Sequence, residues 1–195
     1  MVGMSKISIA LVVMIFLFAG IISLTNFTNS SSVNEFLWTG APPSNADKIE
    51  ARISQLVSPY QGIEYDNITL ATSEKNNKIH IHATASTSAS KYMDRYDFVY
   101  SDNEIIITGY ILEAIPESVR SEAISLALQN EEVASAMGSG MYTNGDPSVK
   151  QILPETSEKF YTGKPLISVT WMDSSISALI DMDTRAVVQV WTGSE

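Results

Sequence analysis

His80 and His82 are the residues whose type and spacing point most directly to chemistry in this chain of 195 residues. They are its two histidines, and they lie two positions apart in a run typical of a strand. Residues i and i+2 of a strand point to the same face, so both imidazoles could bind one Zn²⁺ or Cu²⁺ ion. Asp94 or Asp97 from a neighbouring strand would supply a third ligand. The favoured interpretation needs no metal, because the same alternation is typical of a solvent-facing row on a half-buried strand.

Asp181 and Asp183 form a second candidate motif, because they follow an apolar run as the paired aspartates of aspartyl phosphotransferases do. That motif continues with Thr or Val at the position that Arg185 occupies in this chain. The sequence therefore favours a hairpin turn over a phosphotransfer site.

Three glycines within residues 138–145 raise the question of a phosphate-binding loop. Gly138, Gly140 and Gly145 follow a predicted helix rather than opening one, which favours helix termination. The sequence contains neither G-x-S-x-G nor H-E-x-x-H. It therefore predicts no catalytic residues, no cofactor and no enzyme activity.

A cluster of aromatic residues falls on adjacent predicted strands. Cross-strand packing is the favoured role. The alternative is an exposed aromatic groove for a peptide or a glycan. The residues are Tyr92, Tyr96, Phe98, Tyr100 and Tyr110.

The composition excludes several classes of function. The net charge of −10 and the lack of basic clusters argue against nucleic acid as a partner, since phosphate binding depends on Lys and Arg. The chain has no cysteine, so it has no disulfide, no thiolate metal site and no cysteine nucleophile. With 45% hydrophobic and 17% charged residues, the chain as a whole is expected to fold.

The N-terminal segment predicts an attachment to a membrane. Residues 7–24 carry no charge and are long enough, as a helix, to cross the hydrocarbon core. Lys6 precedes this segment and the next basic residue is Lys48, so residues 1–6 are predicted to be cytoplasmic and the rest extracytoplasmic. A cleaved signal peptide is the alternative, and it also exports the domain.

Residues 25–43 are rich in Ser, Thr and Asn, which predicts a linker. Phe36, Leu37 and Trp38 interrupt it and would pack on the domain or rest at the membrane interface. Three glycosylation sequons are candidates if the host modifies exported proteins. Their acceptors are Asn26, Asn29 and Asn67.

The exported part is predicted to be α+β, in two halves at residues 44–113 and 114–195. Each half begins with a helix, because apolar residues recur at helical spacing after Ser44 and after Pro116. Runs of β-branched and aromatic residues between turn signals then predict antiparallel strands, so the halves could be a duplicated αβββ-type unit. A further short helix is predicted at residues 131–137, and the strands at residues 63–71, 78–84, 95–100, 105–112, 149–153, 166–171, 176–181 and 186–191.

The second half resembles a PepSY-type module. The resemblance rests on Ser-Glu-Ala-Ile-Ser-Leu-Ala-Leu at residues 121–128, on Val133, and on the strand pair at residues 179–181 and 187–190. It implies an exported unit in which a helix packs on a short antiparallel sheet. It also implies a regulatory or inhibitory role beside exported enzymes, and it carries over no catalytic residue.

Taken together, the sequence predicts a membrane-anchored, extracytoplasmic, non-catalytic binding or regulatory domain. Its expected partners are the membrane, through the N-terminal helix, and another exported or membrane protein, through a sheet face or edge. The alternative is a metal-binding or metal-dependent exported protein that uses His80 and His82.

Overall fold

The computed structural model describes residues 33–76, 78–138, 145–154 and 163–192. Within these ranges, no helix has both the length and the apolar character needed to cross a membrane. The predicted anchor at residues 7–24 and the sequons at Asn26 and Asn29 lie outside the described residues, as does Gly140. The described residues form two sheets and three α-helices, which confirms the α+β class.

The first half is a helix packed on a five-stranded sheet of order β1-β2-β3-β4-β5. Strands β2 to β5 form the predicted antiparallel meander, whereas β1 pairs in parallel with β2. On the helix, Ile49 and Ile53 are one turn apart and fully buried against the sheet core. The elements are β1 Phe36–Trp38, α1 Ala46–Leu56, β2 Asn67–Lys75, β3 Lys78–Ser86, β4 Asp94–Ser101 and β5 Glu104–Ile111.

The turn between β4 and β5 shows why the meander forms at these residues. Asp102 and Asn103 have φ of 53° and 65°, the left-handed conformation that a type I′ two-residue hairpin requires at both central positions. Asp and Asn tolerate this conformation better than other residues with a side chain. The predicted turn is confirmed.

The second half places two helices on a four-stranded antiparallel sheet of order β6-β7-β8-β9. Asn130 separates the two helices, because its side-chain oxygen accepts hydrogen bonds from the backbone N–H groups of Glu132 and Val133. Val133 and the apolar faces of β7 and β8 form the core. The elements are α2 Glu117–Gln129, α3 Glu131–Gly138, β6 Ser148–Ile152, β7 Leu166–Trp171, β8 Ile176–Asp181 and β9 Ala186–Thr192.

Two differences from the sequence-based prediction concern the first sheet. Residues 36–38, which composition assigned to the linker, form β1 because Phe36 and Trp38 pack on the core and Trp38 Nε1 donates to Glu50 at 2.6 Å. Strand β2 begins at Asn67 rather than at residue 63 and continues to Lys75. The preceding Tyr65 is fully buried and turns toward the core.

Candidate functional site

Both histidines lie on the face of the first sheet that is turned away from α1. His80 is flanked across the strands by Ser73 and Val99, and His82 by Ala71 and Asp97. The His82 side chain is 67% exposed. The predicted solvent-facing row is therefore present, with both imidazoles on one face.

Asp97 contacts His82 directly. Its Oδ1 lies 2.5 Å from Nδ1 of His82, so Asp97 fixes the ring through that nitrogen and leaves Nε2 as the outward nitrogen. Gly109 lies beside this pair, and a Cβ there would stand 3.5 Å from Oδ2 of Asp97. In the described part of the chain, no three His, Asp or Glu side chains are placed to hold one metal ion. Asp97 thus orients His82 and does not complete a three-ligand site.

Asp94, the other aspartate considered as a ligand, is on the opposite face of the sheet and only 1% exposed. Its carboxylate accepts a hydrogen bond from the Tyr65 hydroxyl and one from the Ala114 N–H at 2.6 Å. The Tyr65 and Tyr96 hydroxyl oxygens are 2.7 Å apart, and the Ser58 N–H donates to Tyr96 at 3.0 Å. Burial raises the pKa of Asp94 above its ordinary value. The expectation that Asp94 could join the histidines was wrong.

The aromatic cluster is mainly a packing feature. Tyr96 and Phe98 are each 1% exposed and their rings stack at 5.9 Å between centroids. Both residues lie on β4, so this stack is within one strand. Across the strands, Tyr96 faces Ala83 and Tyr110, and Phe98 faces Ile81 and Ile107. Their burial in the core removes Tyr96 and Phe98 from any exposed groove. Tyr100 and Tyr110 are partly buried and also pack against this core, and Tyr110 lines the cleft described below.

Asp181 and Asp183 occupy the predicted hairpin turn. Asp181 Oδ1 accepts the N–H groups of Asp183 and Thr184 at 3.0 and 3.3 Å, which closes the turn. Lys164 Nζ lies 2.5 Å from Asp181 and 3.6 Å from Asp183. The hydrogen bond from Lys164 lowers the pKa of Asp181 to about 2. The two carboxylates therefore lie in the turn and form ion pairs with Lys164, which agrees with the predicted hairpin turn.

A cleft that no sequence pattern predicted lies where the two sheets meet. Its volume is about 500 Å³. Among the described residues that line it, Lys150 is the one charged residue, and the others are apolar or uncharged. The lining residues are Ile107, Thr108, Gly109, Tyr110, Ile111, Leu112, Lys150, Gln151 and Ile152.

The two sides of the cleft are joined at one end by backbone contact. The Gln151 N–H donates to the Leu112 carbonyl at 2.8 Å, in an isolated antiparallel bridge between the end of β5 and β6. Glycine inside a strand is a signal for an irregularity or a close backbone approach. Gly109 lies at the β-bulge between β4 and β5. Among the described lining residues, it is the one whose type could have indicated the cleft from the sequence.

Arg120, on helix α2, also connects the two chain segments that the Leu112–Gln151 bridge joins. This side chain is 5% exposed and donates to the carbonyls of Glu113 at 3.0 Å and Val149 at 3.4 Å. Its guanidinium carbon lies 3.8 Å from the centroid of the Tyr92 ring. The Glu113 carboxylate also accepts a hydrogen bond from the Ser148 hydroxyl at 3.3 Å. The geometry of the cleft therefore depends on contacts that cross between the halves.

Asn67, the remaining sequon acceptor, is the first residue of β2 and is partly buried. It pairs with Ser86 in the ladder of β2 and β3.

Comparison of the chain with protein-family models, with curated proteins and with solved structures finds no match. The resemblance to a PepSY-type module therefore stays a prediction.

Proposed function

We propose that this protein is a non-catalytic binding or regulatory domain, held on the outer face of a membrane by residues 7–24. Its partner is another exported or membrane protein. The observation that carries the proposal is the cleft between β5 and β6, with a volume of about 500 Å³. Binding sites in proteins are mostly clefts of about 300–1,000 Å³ with a largely apolar lining and few polar groups.

The chemical character of the lining supports binding over catalysis. Isoleucine, leucine and threonine side chains line most of the cleft, together with the backbone of Gly109. Such a lining supplies apolar surface and backbone hydrogen-bonding groups, which are the means by which proteins bind extended segments. The His82–Asp97 pair and the Asp181–Lys164 pair are not among the lining residues.

Position-dependent cross-linking in membranes tests this proposal. A photo-reactive amino acid replaces Thr108 in the cleft of the full chain, and a control variant carries it at Glu74, which is exposed at the far end of β2. The proposal predicts that one defined exported or membrane protein is captured from position 108 and not from position 74. That protein, once purified, should bind the full chain in detergent with a measurable Kd.

Equal capture from both positions, or no binding by the purified protein, would overturn the proposed function.

A second candidate function, metal binding through His80 and His82, is favoured by the contact between His82 and Asp97. Metal-bound histidines usually donate their other ring N–H to a carboxylate, as the 2.5 Å contact at Nδ1 allows. Two imidazoles on one strand face would bind Zn²⁺, Cu²⁺ or Ni²⁺ with water in the remaining positions.

Thermal unfolding of the full chain in detergent, with each of these three ions, tests the second candidate. It predicts a stoichiometric rise in Tm that is lost in the His80→Ala/His82→Ala variant. Asp97→Asn should weaken metal binding by about 10-fold or more. The matched control Asp66→Asn, which removes another exposed carboxylate of the first half, should leave it unchanged. A Tm that no ion shifts would exclude this candidate.

A further inference from the structure

We propose that Zn²⁺ joins two copies of this chain through the outer face of the first sheet, with His80 and His82 of each copy as its four ligands. This inference rests on the second candidate function, metal binding by the two histidines, and names the partner that completes the site. The occupant of this face is a second copy of the chain, related to the first by a two-fold axis through the ion.

One chain supplies half of a tetrahedral zinc site. Nε2 of His82 is held outward because Asp97 contacts the other ring nitrogen, Nδ1. His80 lies two positions earlier on β3, so its imidazole is on the same face of the sheet. Within the described residues, no third His, Asp or Glu is placed to bind the same ion. Structural Zn²⁺ is almost always bound by four ligands, so two positions remain for a second pair of imidazoles.

The neighbours of the histidines leave room for a second copy. The side chains of His82 and Asp97 are 67% and 56% exposed. On β2, the residues beside the histidines are Ala71 and Ser73, whose side chains are shorter than an imidazole. Two such faces can therefore approach until all four imidazoles contact one ion.

An apolar patch beside His80 favours a second protein chain over water as the source of the remaining ligands. Val99 pairs with His80 and Ile106 pairs with Val99, so these three residues form a row across β3, β4 and β5 on this face. Ile106 is 56% exposed. Because adjacent strands lie about 4.8 Å apart, Ile106 is roughly 10 Å from His80 along the row. A second copy bound through the ion would cover this side chain, and burial of apolar surface stabilises association.

The charge of the chain makes the association depend on the ion. Two chains that each have a net charge of −10 repel each other. Neutral imidazoles add no charge of their own, so Zn²⁺ brings two positive charges to the interface. The dimer should therefore form when Zn²⁺ is added and dissociate when the ion is removed.

Light scattering of the full chain in detergent, corrected for the mass of the detergent, tests the inference together with the zinc content of the same fractions. Added Zn²⁺ should double the mass of the protein and bind at one ion for two chains, and EDTA should reverse both changes. One ion per chain at unchanged mass would overturn the inference and keep the second candidate function. Absence of bound Zn²⁺ would overturn both.

A double substitution tests whether the histidines form the dimer. His80→Ala/His82→Ala should lose both zinc binding and the increase in mass. The control Thr72→Ala/Glu74→Ala removes two exposed side chains at the same spacing, on the opposite face of β2, and should dimerise like the unaltered chain. A dimer that persists without Zn²⁺, or in the double histidine variant, is formed by another surface and would overturn the inference.

Ile106→Ser tests the second copy separately from the metal ligands. It should weaken the zinc-dependent dimer about ten-fold, because the patch beside His80 then loses apolar surface in both copies. The control Leu128→Ser alters an exposed apolar side chain on α2 and should leave dimerisation unchanged. Equal dimerisation of these two variants would overturn the assignment of the interface to this face.

Discussion

Replacement of Arg120 by Met tests how the two halves are held together at the cleft. The substitution keeps an unbranched apolar side chain and removes the guanidinium, which donates to the carbonyls of Glu113 and Val149 and lies over the Tyr92 ring. We expect the junction between β5 and β6 to loosen, because both carbonyls belong to the chain segments that form it.

The magnitude follows from opposing contributions. Two hydrogen bonds from a charged donor stabilise by about 1.5 kcal/mol each, and a partly desolvated cation–π contact adds about 1–2 kcal/mol. In the other direction, the substitution removes the cost of burying the Arg120 charge, whose Nε has no hydrogen-bond partner in the described residues. This relief stabilises the folded state by about 2 kcal/mol. The net loss of stability for Arg120→Met is then about 2–3 kcal/mol.

Urea and thermal unfolding of the full chain in detergent measure this loss. For a domain of this size, 2–3 kcal/mol lowers Tm by about 5–10 °C. Hydrogen exchange at Gln151 should also accelerate, because its N–H forms the bridge to Leu112. Arg52→Met is the control, since Arg52 is exposed and bonds only Gln55 one turn away among the described residues. A loss below about 0.5 kcal/mol in Arg120→Met, equal to the control, would refute the reasoning.

Three further predictions concern stability alone. Tyr65→Phe removes the hydroxyl that donates to the buried Asp94, and should cost about 2–3 kcal/mol in urea unfolding. Asp181 has a folded pKa of about 2, below its ordinary value of 3.8, which corresponds to a stabilising effect of about 2.4 kcal/mol. Solvent screening around the partly exposed Lys164 reduces this effect to about 1 kcal/mol, and it is present above pH 4. That effect is lost as pH falls toward 2, and Asp181→Asn should remove this part of the acid dependence. Trp38→Ala loses packing and the bond to Glu50, and should lower stability by about 2–3 kcal/mol in the same assay.

Each of these predictions has a matched control. Tyr100→Phe removes a hydroxyl that bonds exposed Asn103 and should cost less than about 0.5 kcal/mol. Asp183→Asn removes the second carboxylate near Lys164. Because the Asp183 side chain is 81% exposed, this variant should keep the acid dependence. Leu37→Ala alters an exposed side chain of the same strand as Trp38. Equal effects in a test variant and its control would contradict the corresponding prediction.

Local patterns in the sequence were sufficient for most elements of this fold. The spacing of Ile49 and Ile53 predicted α1, and Asp102 with Asn103 predicted the hairpin between β4 and β5, because both signals act within a few residues. The turn after Asp181 was predicted for the same reason. In contrast, β1 pairs with residues more than 30 positions away, and its composition resembled that of a linker.

The candidate site was less accessible from the sequence. The period of two placed His80 and His82 on one face correctly, and it could also have separated Asp94 from Asp97, since an odd spacing puts them on opposite faces. The cleft arises from where β5 and β6 end relative to each other, and the bridge between Leu112 and Gln151 sets the register of the two segments there. No local pattern encodes such a long-range register.

Hydrogen exchange of the full chain in its own membrane, compared with the purified chain in detergent, tests the central claim that the cleft is the binding site. If a partner occupies the cleft, the segment at residues 107–112 should exchange more slowly in the membrane, while the exposed edge strand at residues 186–192 should exchange equally in both preparations. Unchanged exchange at residues 107–112, together with slower exchange at residues 186–192, would contradict the account and move the interface to β9.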